Sequence, residues 1–154
     1  VPGRTGVNMD ADTTLRIARL SEKVIGIKEA CGDLSQFSKI VNGAPGYFKV
    51  ISGDDGLTLP AIATGSIGVI SVIANALPEK LSQLTHFALE GNMSSASELH
   101  LQLSEMIKLI FKDGSPGGVK ALMELQGKTK NRVRLPLVPV SEVTYDLIVA
   151  EYNR

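Results

Sequence analysis

Val24-Ile25-Gly26-Ile27-Lys28-Glu29 decides how the rest of the chain is read, because four apolar residues stand there with charge on both sides. A short apolar run without alternation is what a strand buried on both faces of a parallel sheet requires. Upstream, Asp10 to Leu20 opens with acidic and threonine residues and continues with Leu15, Ile17, Ala18 and Leu20, which predicts a capped amphipathic helix. Downstream, Asp33 occupies an N-cap position, and Leu34 to Val41 predicts a helix ended by Asn42-Gly43. The unit then repeats: Phe48 to Ser52 is a second strand, Gly53-Asp54-Asp55-Gly56 a loop and Leu57 to Thr64 a helix closed by Gly65. Gly68 to Ile73 is a third strand. Helices alternating with strands predict an α/β fold built on a parallel sheet.

From Pro78 onward the pattern is helical, with segments expected over Glu79 to Glu90, Met93 to Phe111, Gly118 to Leu125 and Glu142 to Asn153. Between them lie Gly91-Asn92, the Asp113-Gly114-Ser115-Pro116-Gly117 loop and a proline-bearing linker from Leu135 to Val140; the glycine-rich run Gly114 to Gly118 lacks the lysine-serine pair of a P-loop and reads as a turn. Three strands cannot close a barrel of eight, and an open three-stranded sheet exposes an apolar edge. The 154 residues fall within the size of one domain. They are short of the ~250 of a complete β/α barrel. The expectation is that strands are missing on the N-terminal side.

Composition narrows the function classes. Hydrophobic residues make up 44% and charged residues 21%, as in an ordinary globular protein. Sixteen basic residues balance sixteen acidic ones with no basic block, which excludes an electrostatic footprint for nucleic acid or an anionic membrane and favours a small-molecule ligand. Cys31 has no second cysteine to pair with, and Val1-Pro2-Gly3-Arg4 opens without a leader pattern, so a reducing, cytoplasmic compartment is expected. The most apolar stretch, Val69 to Leu77, is interrupted by Ser71 and Asn75, and no membrane span is expected. His86 and His100 lack a partner at metal-ligand spacing, and no metal is expected.

Lys28 ends the first strand, where a β/α barrel gathers its catalytic groups. An amine flanked by apolar residues loses hydration, which disfavours the ammonium and favours nucleophilic attack on a carbonyl. On spacing alone, Lys28 reads first as a surface lysine at a strand end. Glu29 should turn to the opposite side and form a salt bridge on the helix side. Cys31 is expected to pack as a small apolar group, and Asp54 and Asp55 to serve the following helix as caps rather than as a catalytic carboxylate pair.

Gly26 to Gly32 (GIKEACG), Ser52 to Asp55 (SGDD), Gly68 to Ser71 (GVIS) and Val1 to Gly6 (VPGRTG) occur in one order at barrel-repeat spacing, with Leu135 to Glu142 (LPLVPVSE) near the end. Together they resemble the dihydrodipicolinate synthase family. The resemblance implies the C-terminal half of a (β/α)8 TIM barrel over residues 1–77, and the last barrel helix with an α-helical extension over 78–154. It implies a lyase in which Lys28 forms a Schiff base with pyruvate, condensing it with aspartate semialdehyde in lysine and diaminopimelate biosynthesis, without a cofactor. Arg4 would hold the second substrate's carboxylate, Gly53 would line the pyruvate pocket and the main-chain carbonyl of Ile70 would face the lysine. On local pattern alone these three read as a loop arginine, a turn glycine and a β-branched core residue.

The family's tyrosine and threonine proton relay and its carboxylate-binding backbone belong to the N-terminal half, and Tyr47, Tyr145 and Tyr152 do not match that tyrosine. The implied partners are that half and further copies, as a dimer or tetramer. Sugar-acid aldolases such as N-acetylneuraminate lyase share the lysine and the barrel and remain an alternative, as does a non-catalytic assembly fragment.

Overall fold

Aspartate side chains cap the first two long helices. The computed structural model describes residues 1–154. Asp10 accepts the Thr13 amide at 2.7 Å and starts α2 (Ala11–Leu20), and Asp33 accepts the Ser35 amide at 2.7 Å and starts α3 (Leu34–Gly43). Ahead of them lies a single turn, α1 (Pro2–Thr5), where the sequence reading had placed a loop. Its signals were Pro2 in the first turn and Gly6 as a left-handed C-cap at φ 70°.

The chain divides into two units, Val1–Ser71 with Thr85–Ala96, and Val72–Leu84 with Ser97–Arg154. In the first, β1 (Gly26–Glu29) and β2 (Lys49–Ser52) pair in parallel, with Lys28 opposite Ile51 and Glu29 opposite Ser52. β1 starts two residues later than the apolar run, because Gly26 is where pairing to Lys49 begins. The third expected strand contracts to one parallel bridge, Ser52 to Val69, secured by Ser52 N–H to Gly68 O at 2.9 Å and Ile70 N–H to Ser52 O at 2.8 Å. At Ile73 the chain already turns into a 3-10 helix, Ile73–Asn75, where a strand had been expected to end.

Between β2 and that bridge, a 3-10 turn (Asp55–Leu57) leads into α4 (Thr58–Thr64). Phe37, Ile40, Phe48, Val50 and Ala61 pack with Ala11 and Ala18 into the core between the strands and helices α2, α3 and α4. Burying Phe37 and Ile40 contributes about 1.5–3 kcal/mol each. Gly43 was expected to stop α3, yet it is helical. A Cβ there would lie 2.7 Å from Leu15 Cδ1, so this glycine lets α2 close on α3. The role of helix stop falls to Ala44, ahead of Pro45. Ile62, Ala88 and Ala96 form a second small cluster in the same unit.

The remaining helices are α5 (Pro78–Leu89), α6 (Met93–Phe111), α7 (Gly117–Leu125) and α8 (Glu142–Tyr152). In the second unit α7 packs on α8, with Ala121, Leu122 and Ile148 buried. Gly118 lies against the Ile110 backbone of α6, where a Cβ would be 2.5 Å from the Ile110 Cα. Gly117 opens α7 instead of ending the turn before it. Asp113 accepts both the amide (2.8 Å) and the hydroxyl (2.7 Å) of Ser141, the N-cap of α8, and these bonds hold its carboxyl below the ordinary 3.8. No helix is long and apolar enough to cross a membrane.

Candidate active site

Parallel strands bring their C-terminal ends to one side of a sheet, so the residues leaving β1, β2 and the Val69 bridge share an edge. Lys28 stands at that edge, half-buried. Gly53 follows β2 and donates its N–H to Glu29 O at 2.7 Å, which seats it beside the end of β1. A Cβ on Gly53 would lie 2.7 Å from Lys28 Cε, 2.9 Å from Lys28 Cγ and 2.7 Å from Ala30 Cβ. The alkyl stem of Lys28 therefore lies across the bare Cα of Gly53, and the absence of a side chain there sets the path along which the amine is presented. The atoms beside its Cα are those of Lys28 and Ala30.

Ile70 leaves the Val69 bridge at the same edge, and its own N–H is used by Ser52 O. In this chain the residue is 48% exposed. Arg4 is exposed on α1. The structure thus groups Lys28, Gly53 and Ile70 on one sheet edge and carries Arg4 on a separate helical turn. Tyr47 precedes β2, at the opposite end of the sheet, where its hydroxyl donates to Ala18 O.

The carboxylates resolve into structural roles. Asp54 caps the 3-10 turn by accepting Gly56 N–H at 2.9 Å, as expected, and Asp55 is buried within it. Glu29 points away from Lys28 by strand alternation, but the expected salt bridge is replaced by hydrogen bonds to neutral donors. Its Oε1 accepts Cys31 N–H at 2.7 Å and its Oε2 accepts Gln36 Nε2 at 2.9 Å, in a residue only 6% exposed. A buried carboxylate satisfied by an amide and a backbone N–H needs no cation. Cys31 packs partly buried, and burial first, then Glu29, raises its thiol above 9.0, so it is a poor nucleophile.

Gln36, Asn8 and Met9 were not singled out in the sequence, yet they complete the surroundings of Glu29. Asn8 Nδ2 donates to Gln36 Oε1 at 2.9 Å and Gln36 Nε2 donates to Met9 O at 3.2 Å. These partners are 27 and 28 residues apart. Only a glutamine at the third position of a helix whose cap was legible hinted at an inward amide.

The sequence and the fold match those of known proteins. A model of the dihydrodipicolinate synthetase family matches residues 1–152. The chain is 48% identical over 153 residues to a 4-hydroxy-tetrahydrodipicolinate synthase of Phocaeicola vulgatus, covering 99% of this chain and 52% of the relative. It is 49% identical over 148 residues to the synthase of Parabacteroides distasonis, covering 96% and 50%. The crystal structure of dihydrodipicolinate synthase from Thermotoga maritima superposes with a TM-score of 0.95 at 39% identity, covering 99% of this chain and 53% of that one. The chain spans about half the length of the curated relatives it matches, and its α/β fold is part of their TIM barrel.

Proposed function

The chain belongs to the dihydrodipicolinate synthetase family, and from that premise we propose that it supplies the Schiff-base lysine, Lys28, of a lyase that condenses pyruvate with L-aspartate 4-semialdehyde to 4-hydroxy-tetrahydrodipicolinate. The observation that carries the reading is the lysine stem laid over Gly53 at the C-terminal edge of parallel strands. In this reading the Lys28 amine attacks the pyruvate ketone and its oxygen leaves as water, forming an imine. Loss of a methyl proton gives an enamine, whose carbon bonds to the aldehyde carbon of the second substrate. That substrate's amino group then attacks the imine carbon, closing the ring and releasing Lys28. The imine nitrogen is the electron sink, so the reaction needs no cofactor.

Arg4 holds the carboxylate of the semialdehyde, for which a guanidinium fork is suited. Gly53 keeps the pyruvate end of the pocket open, and the Ile70 carbonyl faces the imine. Residues 1–77 are the C-terminal portion of the barrel, and 78–154 are the last barrel helix with a helical extension. The exposed Ile25, Ile67 and Ile70 around the sheet support a reading in which further βα units complete the barrel and the active enzyme. They supply the proton relay, and the completed enzyme assembles as a dimer or tetramer in the cytoplasm, taking part in lysine and diaminopimelate biosynthesis.

The test is borohydride reduction of the complete barrel in the presence of pyruvate, followed by peptide mass mapping. One adduct on Lys28, lost in Lys28→Ala, is expected. An adduct that persists in Lys28→Ala rules this residue out, and no adduct in the wild type leaves an assembly fragment. Turnover of 2-keto-3-deoxy sugar acids instead of the semialdehyde would reassign the substrate to a sugar-acid aldolase.

A further inference from the structure

We propose that Gln36 is a positioning residue, which ties the segment carrying Arg4 to the strand carrying Lys28 and thereby sets the spacing between the two substrate sites. The inference rests on the roles given above to Lys28 and Arg4. Its physical basis starts with Glu29, the residue next to Lys28. Being buried and acceptor-only, this carboxylate compels the Gln36 amide to turn its NH2 inward, where Nε2 donates to Oε2 at 2.9 Å. The Gln36 oxygen is thereby forced outward and accepts Asn8 Nδ2 at 2.9 Å, while the same NH2 reaches Met9 O at 3.2 Å.

The path continues to Arg4 through a braced turn. Thr5, the residue after Arg4, donates its hydroxyl to Val7 O at 2.9 Å and accepts Val7 N–H at 3.3 Å, bracing the turn between α1 and Asn8. On the other side, Asp10 caps α2 directly after Met9. The segment between α1 and α2 is thus clamped at both ends, and Gln36 anchors its middle to β1. Nothing in the imine chemistry uses Gln36, so the expected signature is a split between the two substrates.

The test uses the complete barrel with Gln36→Leu and Asn8→Ala, singly and together. The KM for the aldehyde should rise about five- to tenfold in each single variant, the size of the one or two neutral hydrogen bonds that tie Gln36 to Asn8 and Met9. The double variant should be no worse than Gln36→Leu alone, and the KM for pyruvate and the rate of borohydride trapping should stay within about twofold. Independently of catalysis, amide hydrogen exchange in the peptide spanning Val7 to Asp10 should quicken about five- to tenfold in Gln36→Leu.

Because a hydrocarbon beside Glu29 can impair folding, a second pair guards the result. Gln36→Glu alone should reproduce the defect by facing one carboxylate with another, and combining it with Glu29→Gln should recover the aldehyde KM only in part, to about two- to fivefold above wild type, because a donor again meets an acceptor between positions 29 and 36 while the bond to Met9 O stays lost. Unchanged exchange in Gln36→Leu overturns the tether. Quickened exchange with an unchanged aldehyde KM, or equal rises in both KM values, overturns the positioning role. A wild type that traps no pyruvate defeats the reading of Lys28, while the exchange measurement still decides the tether.

Discussion

Gly53→Ala adds one methyl group at the point where the lysine stem, Ala30 and the end of β2 meet. The new Cβ would lie 2.7 Å from Lys28 Cε and 2.7 Å from Ala30 Cβ, whereas carbon atoms in contact rest at about 3.5–4.0 Å. Relief therefore requires movements of about 0.8–1.3 Å. The lysine stem can swing aside, but Ala30 Cβ is fixed to the backbone, and Gly53 is itself held by its 2.7 Å bond to Glu29 O. The ends of β1 and β2 must separate, an overpacking that costs about 1–3 kcal/mol. The displaced amine should form its imine roughly a hundredfold more slowly, the usual cost of about 1 Å of misplacement.

Single-turnover borohydride trapping of pyruvate in the complete barrel measures the rate, and urea melts measure the stability. Gly46→Ala is the control. Nothing lies within 4 Å of a Cβ there and its φ is not positive, so trapping should be unchanged. Stability should be equal to the parent or higher by about 0.4–1 kcal/mol. If Gly53→Ala traps pyruvate at the wild-type rate and melts with the control, Gly53 does not set the path of the lysine.

Arg4→Ala should lower kcat/KM for the aldehyde by roughly 10- to 150-fold, the range for a lost charged hydrogen bond, while pyruvate trapping is retained; equal loss of trapping would move Arg4 to the pyruvate site. Gly118→Ala would drive a Cβ into the Ile110 backbone and should destabilise the chain by about 3 kcal/mol in urea melts, and a change under 0.5 kcal/mol would refute that packing. Asp10 and Asp113 both have folded pKa values lowered, by the Thr13 amide and the Ser141 hydroxyl first respectively, so their contribution is fully present above 3.8. It is lost as pH falls through the lowered values, and thermal melts from pH 6 to pH 2 should flatten in Asp10→Asn and Asp113→Asn. Parallel pH profiles for variants and wild type would count against it.

What the sequence by itself determined is the set of features governed by neighbours a few residues away. The carboxylates of Asp10 and Asp33 reach amides in their own helix turns, and Gly65, held at φ 118°, is a stop that other residues rarely adopt. The order of helices and strands follows, and so does the position of Lys28 at a strand end, because apolar run and helix cap bracket it from both sides. Tertiary structure decided whatever depends on which distant residue arrives opposite.

The start of β1 moved to Gly26 because Lys49 pairs there, and the third strand shrank to Val69 because only Ser52 bridges it. Gly43 looked like a helix stop until Leu15 of α2 was found against it, and Glu29 looked like half of a salt bridge until α3 turned Gln36 inward. The same holds for Gly53, whose meaning rests on the Lys28 side chain lying over it. Capping and periodicity are fixed by covalent proximity, whereas these contacts are fixed by how helices and strands close on one another, and that is set by the packing of the whole unit.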